Sequence, residues 1–163
     1  MSNAANRGKS AEQKVREHLK ALAAANANFD FQRNQDAHAA GGRMSVPQVG
    51  DFAAFGRYSV PGLLVPDHYS RNFIIEVKEV KHGFRLPYQN YSADKVARVS
   101  KRVLAGAEAI VLVRFMPADE WRAVPQEVFA KRNPEKPSGS WDLSAYPFVD
   151  YRTALNEFMG VTP

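Results

Sequence analysis

The side chains best placed to do chemistry lie in one short apolar segment, Phe73-Ile74-Ile75-Glu76-Val77-Lys78. The two-residue period of a strand sends Phe73, Ile75 and Val77 to one face and Glu76 with Lys78 to the other. A carboxylate and an ammonium therefore project side by side from a strand whose opposite face is core. The triplet Glu-x-Lys also begins at Glu12 and at Glu79, and taken alone it describes an ion pair on a solvated strand. Asp51 changes that reading, because it follows Gly50 at the start of the preceding strand. If the two strands pair, the Asp51 and Glu76 carboxylates meet at one end of the sheet. Two such oxygen ligands suit Mg²⁺, or Mn²⁺, which keeps several waters and binds one or two carboxylates plus a substrate phosphate. Lys78 would then lie where an ammonium can orient an attacking water or stabilise charge building on phosphorus. The plainer reading of Asp51 is a turn residue accepting backbone N–H bonds.

A third carboxylate, Glu12, is followed three and seven residues later by Val15 and Leu19, which places it on the buried stripe of a first helix. A buried carboxylate is costly unless paired or coordinating a metal; the alternative is a first-turn residue that complements the helix dipole. Basic residues have a direction as well. Lys95, Arg98 and Arg102 fall at spacings of three and four on a second helix, with Lys101 beside them, a ridge able to neutralise phosphates along a nucleic-acid backbone. Arg7, Lys9, Arg33, Arg43, Lys81 and Arg85 add positive charge where a backbone could approach. A solvated helix face has the same composition, so the ridge is weak support by itself.

The 163 residues carry 22 basic and 17 acidic side chains, a formal charge of +5, which favours a polyanionic partner without requiring one. Zero cysteines exclude a disulfide framework, a thiolate zinc site and a cysteine nucleophile. The four histidines are scattered without metal-ligand spacing, and there is no P-loop, dinucleotide fingerprint or Gly-x-Ser-x-Gly elbow. The longest apolar run, Ala109 to Val113, falls far short of the roughly 18 residues that span a bilayer, and no signal peptide opens the chain, so a cytoplasmic protein is expected.

The elements that must position these groups read as a small α/β domain with a mixed central sheet. Residues 1–9 read as a flexible N-terminus and residues 10–163 as one domain. A first helix is expected from an N-cap at Ser10 to near Asn26, with Val15, Leu19, Leu22 and Ala23 on its stripe. Asp30 to Gln48, broken by Gly41-Gly42 and Pro47, reads as an extended connection. Strands are expected at Val49–Tyr58 and Phe73–Val80, joined by a hairpin excursion. A second helix follows at Ser92–Leu104, with Val96, Val99 and Val103 facing the core and Gly106 as its stop. Ala109–Phe115 reads as a strand covered on both faces, Trp121–Val124 as an edge strand, Gln126–Lys131 and Tyr151–Phe158 as helices, and Arg132–Gly139 as a surface loop. Trp121, Trp141 and Tyr146 read as packing residues.

Asp51, then Glu76-Val77-Lys78, with Glu12 on a preceding helix, resembles the PD-(D/E)xK nuclease superfamily. That resemblance implies a restriction-endonuclease-like core, a mixed sheet flanked by helices; Val49-Gly50 stands where the superfamily usually has a proline before the aspartate. A narrower resemblance is to the RecU-type Holliday junction resolvases. It is carried by Asn6-Arg7-Gly8 ahead of the Glu-bearing helix, by Glu76-Val77-Lys78-Glu79-Val80-Lys81 followed by Phe84-Arg85-Leu86-Pro87-Tyr88-Gln89-Asn90, and by Ala105-Gly106 before the apolar strand. It covers most of Asn6 to Arg114. It implies that Glu12, Asp51, Glu76 and Lys78 are catalytic or metal-binding, that Gln89 supports the site or contacts the scissile strand, and that a homodimer cuts two strands. The connection from Asp30 to Gly50 is shorter than the family's stalk segment and the Asp51 to Glu76 spacing is longer, departures that touch junction selectivity rather than catalysis.

The resulting expectation is a metal-dependent endonuclease acting on branched DNA in recombination or repair. Mg²⁺ would be held by Asp51, Glu76 and the Val77 carbonyl, and cleavage would leave a 5′-phosphate by family analogy. The competing readings are a nuclease with another DNA substrate, nicking or end-processing, and a catalytically silent DNA-binding module that bridges recombination proteins.

Overall fold

The structure, a computed structural model, describes residues 3–34, 50–59, 68–132 and 138–162, with backbone alone for residues 3–10, 59 and 68. The expectations for Gly41-Gly42, Pro47, the Pro61-Gly62 excursion and residues 133–137 lie outside the described residues. Helix α1 (Asn3–Ala25) places Ala11, Val15, Leu19 and Leu22 on a fully buried stripe. The helix starts at Asn3, so Ser10 lies inside it and is not its cap; Ala4, Ala5, Arg7 and Lys9 are helix formers whose sum outweighs Gly8.

Strand β1 (Phe29–Arg33) occupies the start of the stretch expected to be a connection. Its alternation of Phe29 and Phe31 with polar residues suits a half-buried edge, and it pairs antiparallel with β2 (Phe52–Ser59) from Phe29↔Gly56 to Arg33↔Phe52. Strand β3 (His68–Val80) begins five residues earlier than its apolar run and pairs antiparallel with β2 from Ser59↔His68 to Phe52↔Ile75. The chain then forms β4 (Arg85–Pro87), a 3₁₀ turn over Tyr88–Asn90, and α2 (Ala93–Leu104), which Ser92 caps. Gly106 closes α2 with a positive φ of 97°, the conformation that only glycine adopts freely after a helix. Strand β5 (Glu108–Phe115) returns parallel to β3, with Glu76 opposite Val111, and pairs antiparallel with β6 (Glu120–Pro125). Helix α3 (Gln126–Ala130), β7 (Ser140–Asp142) and α4 (Tyr151–Met159) complete the chain.

The sheet order is β1-β2-β3-β5-β6, and β4 with β7 forms a separate two-stranded ribbon. Neither ribbon strand was foreseen, because three residues are too few to display a period. The core divides across the sheet. Helices α1 and α4 cover Phe52, Phe73, Ile75, Val77 and Leu112, whereas α2, α3 and the ribbon cover Ile74, Val111, Val113 and Val124. The Glu76 face of β3 is thus not solvated, as the plain ion-pair reading requires, but lies beneath a second layer. Within that layer Trp141 packs against Tyr88, Phe129 and Tyr91, with ring centroids 4.4, 5.2 and 6.3 Å apart, and Trp121 is buried against Tyr151 in the other, in keeping with packing roles. Val96 and Val99 are buried as expected, but Val103 is 38% exposed and its neighbour Leu104 89%.

Asp150 caps α4, accepting from the Arg152 and Thr153 amides at 3.0 and 2.9 Å. The Thr153 amide in particular holds its carboxyl below the ordinary value of 3.8. A depressed carboxyl contributes stability above its unfolded value and loses it as pH falls through the folded one. Asp150→Ala should therefore cost about 1 kcal/mol in urea unfolding at neutral pH. The gap between variant and native chain should close as the pH is taken below 3.8.

Candidate active site

The site forms where β2 begins and β3 runs on past it. Gly50 turns the chain into the sheet with φ of +80°, and a Cβ there would lie 2.5 Å from Ile74 Cγ2, so any other residue would be strained. Asn34 fixes the same corner, its amide donating to the Asp51 carbonyl at 2.9 Å and its Nδ2 to the Gly50 carbonyl at 3.2 Å. The Asp51 amide makes the last β2–β3 bond, to the Ile75 carbonyl at 3.0 Å. Two residues on, β3 has no backbone partner from β2, and the Asp51 side chain takes that place, with Oδ2 accepting from the Val77 amide at 2.7 Å. The N–H and C=O of one strand residue point to the same side. The Val77 carbonyl therefore shares the edge that Asp51 occupies.

Glu76, the residue before Val77, projects into the layer under α2 and is 1% exposed. Its Oε1 is held by Lys78 and, at 2.7 Å, by Lys95 of α2. Lys95 Nζ also lies 3.1 Å from Asp51 Oδ1, and Lys78 Nζ lies 4.0 Å from Asp51 Oδ2. The Lys78 ammonium sits 5.3 Å from the centre of the buried Tyr91 ring, whose hydroxyl donates to Gln126 Oε1 at 2.8 Å. Two carboxylates and two ammonium groups thus share one pocket. Burial, reinforced by the Asp51 charge, pushes the Glu76 carboxyl above its ordinary range against the pull of Lys78 and Lys95. Burial disfavours the Lys95 ammonium, but Glu76 and Asp51 outweigh it and hold Lys95 above the usual lysine range. Tyr91 is pushed up by burial and by the Glu76 charge.

Glu76 Oε2 is buried and has no hydrogen-bond partner among the described residues. An orphaned buried carboxylate oxygen costs free energy, and a hard cation would satisfy it. Asp51, Glu76 and the Val77 carbonyl are the oxygen donors that Mg²⁺ takes, and they leave half of its octahedron to water and phosphate, so the residues fit the ion.

Asp51, Glu76 and Lys78 are brought together as expected. Glu12 is not: Ala11, one residue earlier, holds the buried stripe, and Glu12 is half-buried beside it with its Oε2 2.8 Å from Arg33. Among the described residues no three acidic or histidine side chains converge as a metal cluster. Lys95 does not belong to the outward ridge of α2, where Arg98, Lys101 and Arg102 are exposed. It lies one turn before the buried Val99, and that four-residue spacing was the signal for its inward position. Gln126, from a segment that showed no functional sign, is buried behind Tyr91.

A cleft of about 620 Å³ opens along Lys78, lined by Lys81, His82, Arg85, Gln89 and Asn90. Gln89 is exposed on its wall, and Arg85 is already paired with Asp142 at 3.0 Å. Arg33 is engaged by Glu12. The side chains of Arg7 and Lys9, and all of Arg43, lie outside the described residues. A larger cleft of about 960 Å³, lined by Lys14, His18, Asp119 and Tyr151, contains none of the expected site residues.

The five-stranded mixed sheet with helices on both faces is a restriction-endonuclease-like fold. Among solved structures the chain is similar to Hjc, a Holliday junction resolvase from the archaeal hyperthermophile Archaeoglobus fulgidus. The TM-score is 0.54 at 24% identity, over 90% of this chain and 98% of that one. No protein-family model and no curated protein matches the chain.

Proposed function

We propose that this chain is a metal-dependent endonuclease that hydrolyses phosphodiester bonds in branched DNA during recombination or repair. The observation that carries the reading is the convergence of Asp51, Glu76 and Lys78 at the edge of β3 beyond β2, with one Glu76 oxygen buried and without a hydrogen-bond partner among the described residues. The fold supports it, since a solved protein of this architecture is a Holliday junction resolvase. The finer RecU-type affinity rests on the Pro87-Tyr88-Gln89-Asn90 turn that follows the Glu76 strand.

In this reading Asp51, Glu76 and the Val77 carbonyl hold Mg²⁺ or Mn²⁺. When bound, that ion supplies charge neutralisation at the phosphate and a more acidic water. Lys78, fixed by Glu76 and backed by the Tyr91 ring, presents its ammonium to the attacking water and to the charge developing on phosphorus. A P–O bond forms to the water oxygen as the bond to the 3′ oxygen breaks, leaving a 5′-phosphate. Gln89, Lys81 and Arg85 line the cleft where the scissile strand would run, and Arg98, Lys101 and Arg102 offer phosphate contacts along α2. Cutting both strands of a junction calls for a homodimer, and this reading takes the protein to be cytoplasmic. No helix among the described residues is long and apolar enough to cross a membrane.

The test is cleavage of a synthetic four-way junction beside duplex and single-stranded controls, with Mg²⁺ and with EDTA. Paired symmetric cuts on the junction alone, lost in EDTA, are expected. Cutting of every substrate would remove the junction preference, and tight binding without cutting would replace the enzyme with a silent binding module.

A further inference from the structure

Lys95 occupies a position that its exposed neighbours on α2 do not explain. Its Nζ lies 2.7 Å from Glu76 Oε1 and 3.1 Å from Asp51 Oδ1, bridging the two carboxylates most suited to a metal. Magnesium would take oxygens at roughly 2.0–2.1 Å. An ammonium bridging the same two carboxylates competes with a dication for them. The bridge is also removable, since the Lys95 side chain keeps 22% of its surface exposed and ends a flexible four-carbon stem near the capped start of α2. Lys78 is more enclosed, at 13% exposure, and springs from β3 itself, so it has less freedom to leave.

We propose that Lys95 is the resident cation of the Asp51–Glu76 pair, which a divalent ion must displace before the site can work. Lys95 thus holds the two carboxylates together in the metal-free protein and competes with the metal for them. It is a positioning residue that sets metal affinity, distinct from Lys78, which faces the reaction. The inference rests on the metal-dependent reading above and deepens it.

Mn²⁺ binding to the full chain without DNA, followed by the electron paramagnetic resonance of the free ion, tests this directly. Lys95→Met keeps the apolar stem and removes the charge, and should tighten Mn²⁺ binding by at least about tenfold. Lys95→Arg, which retains a bridging cation, should stay near the native affinity. Arg98→Met removes one charge from the exposed face of the same helix and should change little. Equal tightening by Arg98→Met would show a general charge effect and overturn the proposal. Unchanged or weaker binding by Lys95→Met would overturn it too, while leaving the nuclease reading intact. Absence of Mn²⁺ binding in every variant would overturn both. Should Lys95→Met fail to fold, the native chain supplies the answer. Labelling of Lys95 by an amine-reactive ester, read by peptide mass spectrometry, should rise severalfold when Mn²⁺ is added, and unchanged labelling would refute displacement.

Discussion

Glu76→Gln is expected to reduce four-way-junction cleavage by roughly 10³-fold, about 4 kcal/mol of transition-state stabilisation, while junction affinity stays close to native. The amide is nearly isosteric and stays buried under α2, but it cannot offer an anionic oxygen to a metal. Lys78→Ala should cost roughly 10²–10³-fold for a different reason: the carboxylates remain and the ammonium that faces the water is gone. Both effects should appear in single-turnover rates, with DNA binding measured separately by fluorescence anisotropy in EDTA. The pair discriminates among the competing readings. A silent DNA-binding module requires neither group, so cleavage retained in both variants would sink the assignment, and binding lost in both would point to misfolding. Circular dichroism of Glu76→Gln checks the second outcome. Burial already disfavours the ionised Glu76 carboxyl, so its amide should not unfold the chain.

The second large effect concerns stability on the far side of Lys78. Glu79 is the next residue of β3, and its side chain is only 7% exposed. Arg114 of β5, itself 8% exposed, reaches it at 3.1 Å and also holds Asp119 at 2.5 Å, and Asp119 in turn meets Lys14 of α1. Such a network is weak evidence of net stabilisation, because burying its members is itself costly. Breaking it is another matter. Arg114→Met leaves the Glu79 carboxylate buried without its ion-pair partner and should destabilise the fold by about 3–5 kcal/mol in urea unfolding. The double variant with Glu79→Gln should recover most of that loss, since the stranded charge rather than the missing contact is what costs. A cost below about 1 kcal/mol for the single change would mean that water reaches Glu79 and that the pair is a surface feature.

Much of the framework is legible locally. The two-residue period of Phe73 to Lys78 correctly separates Ile75 and Val77 from Glu76, and the continuous apolar run of β5 correctly announces a strand covered on both faces. Gly50 before Asp51 marks the corner, because only glycine accepts that backbone beside Ile74 without strain. These features depend on backbone periodicity and conformation, which a few adjacent residues specify. The ribbon of β4 and β7 was not legible, since it joins three-residue segments more than fifty positions apart whose pairing depends on Trp141 finding Tyr88 and Tyr91.

The same distinction runs through the site. By itself the sequence placed Glu76 and Lys78 on one face of a strand and Asp51 at the entry to the preceding one, with a shared chemistry of carboxylate and ammonium; that the two strands pair came from the structure. Only the tertiary structure decided which other charges join them. Helical spacing made Glu12 a candidate for the buried stripe and Lys95 a phosphate contact, yet the packing of α1 through Ala11 turns Glu12 toward Arg33. The docking of α2 through Val96 and Val99 swings Lys95 onto the carboxylates. A helical period fixes the angles between side chains on one helix. The rotation at which that helix meets the sheet is set by long-range packing, and for both residues that rotation decides the partner.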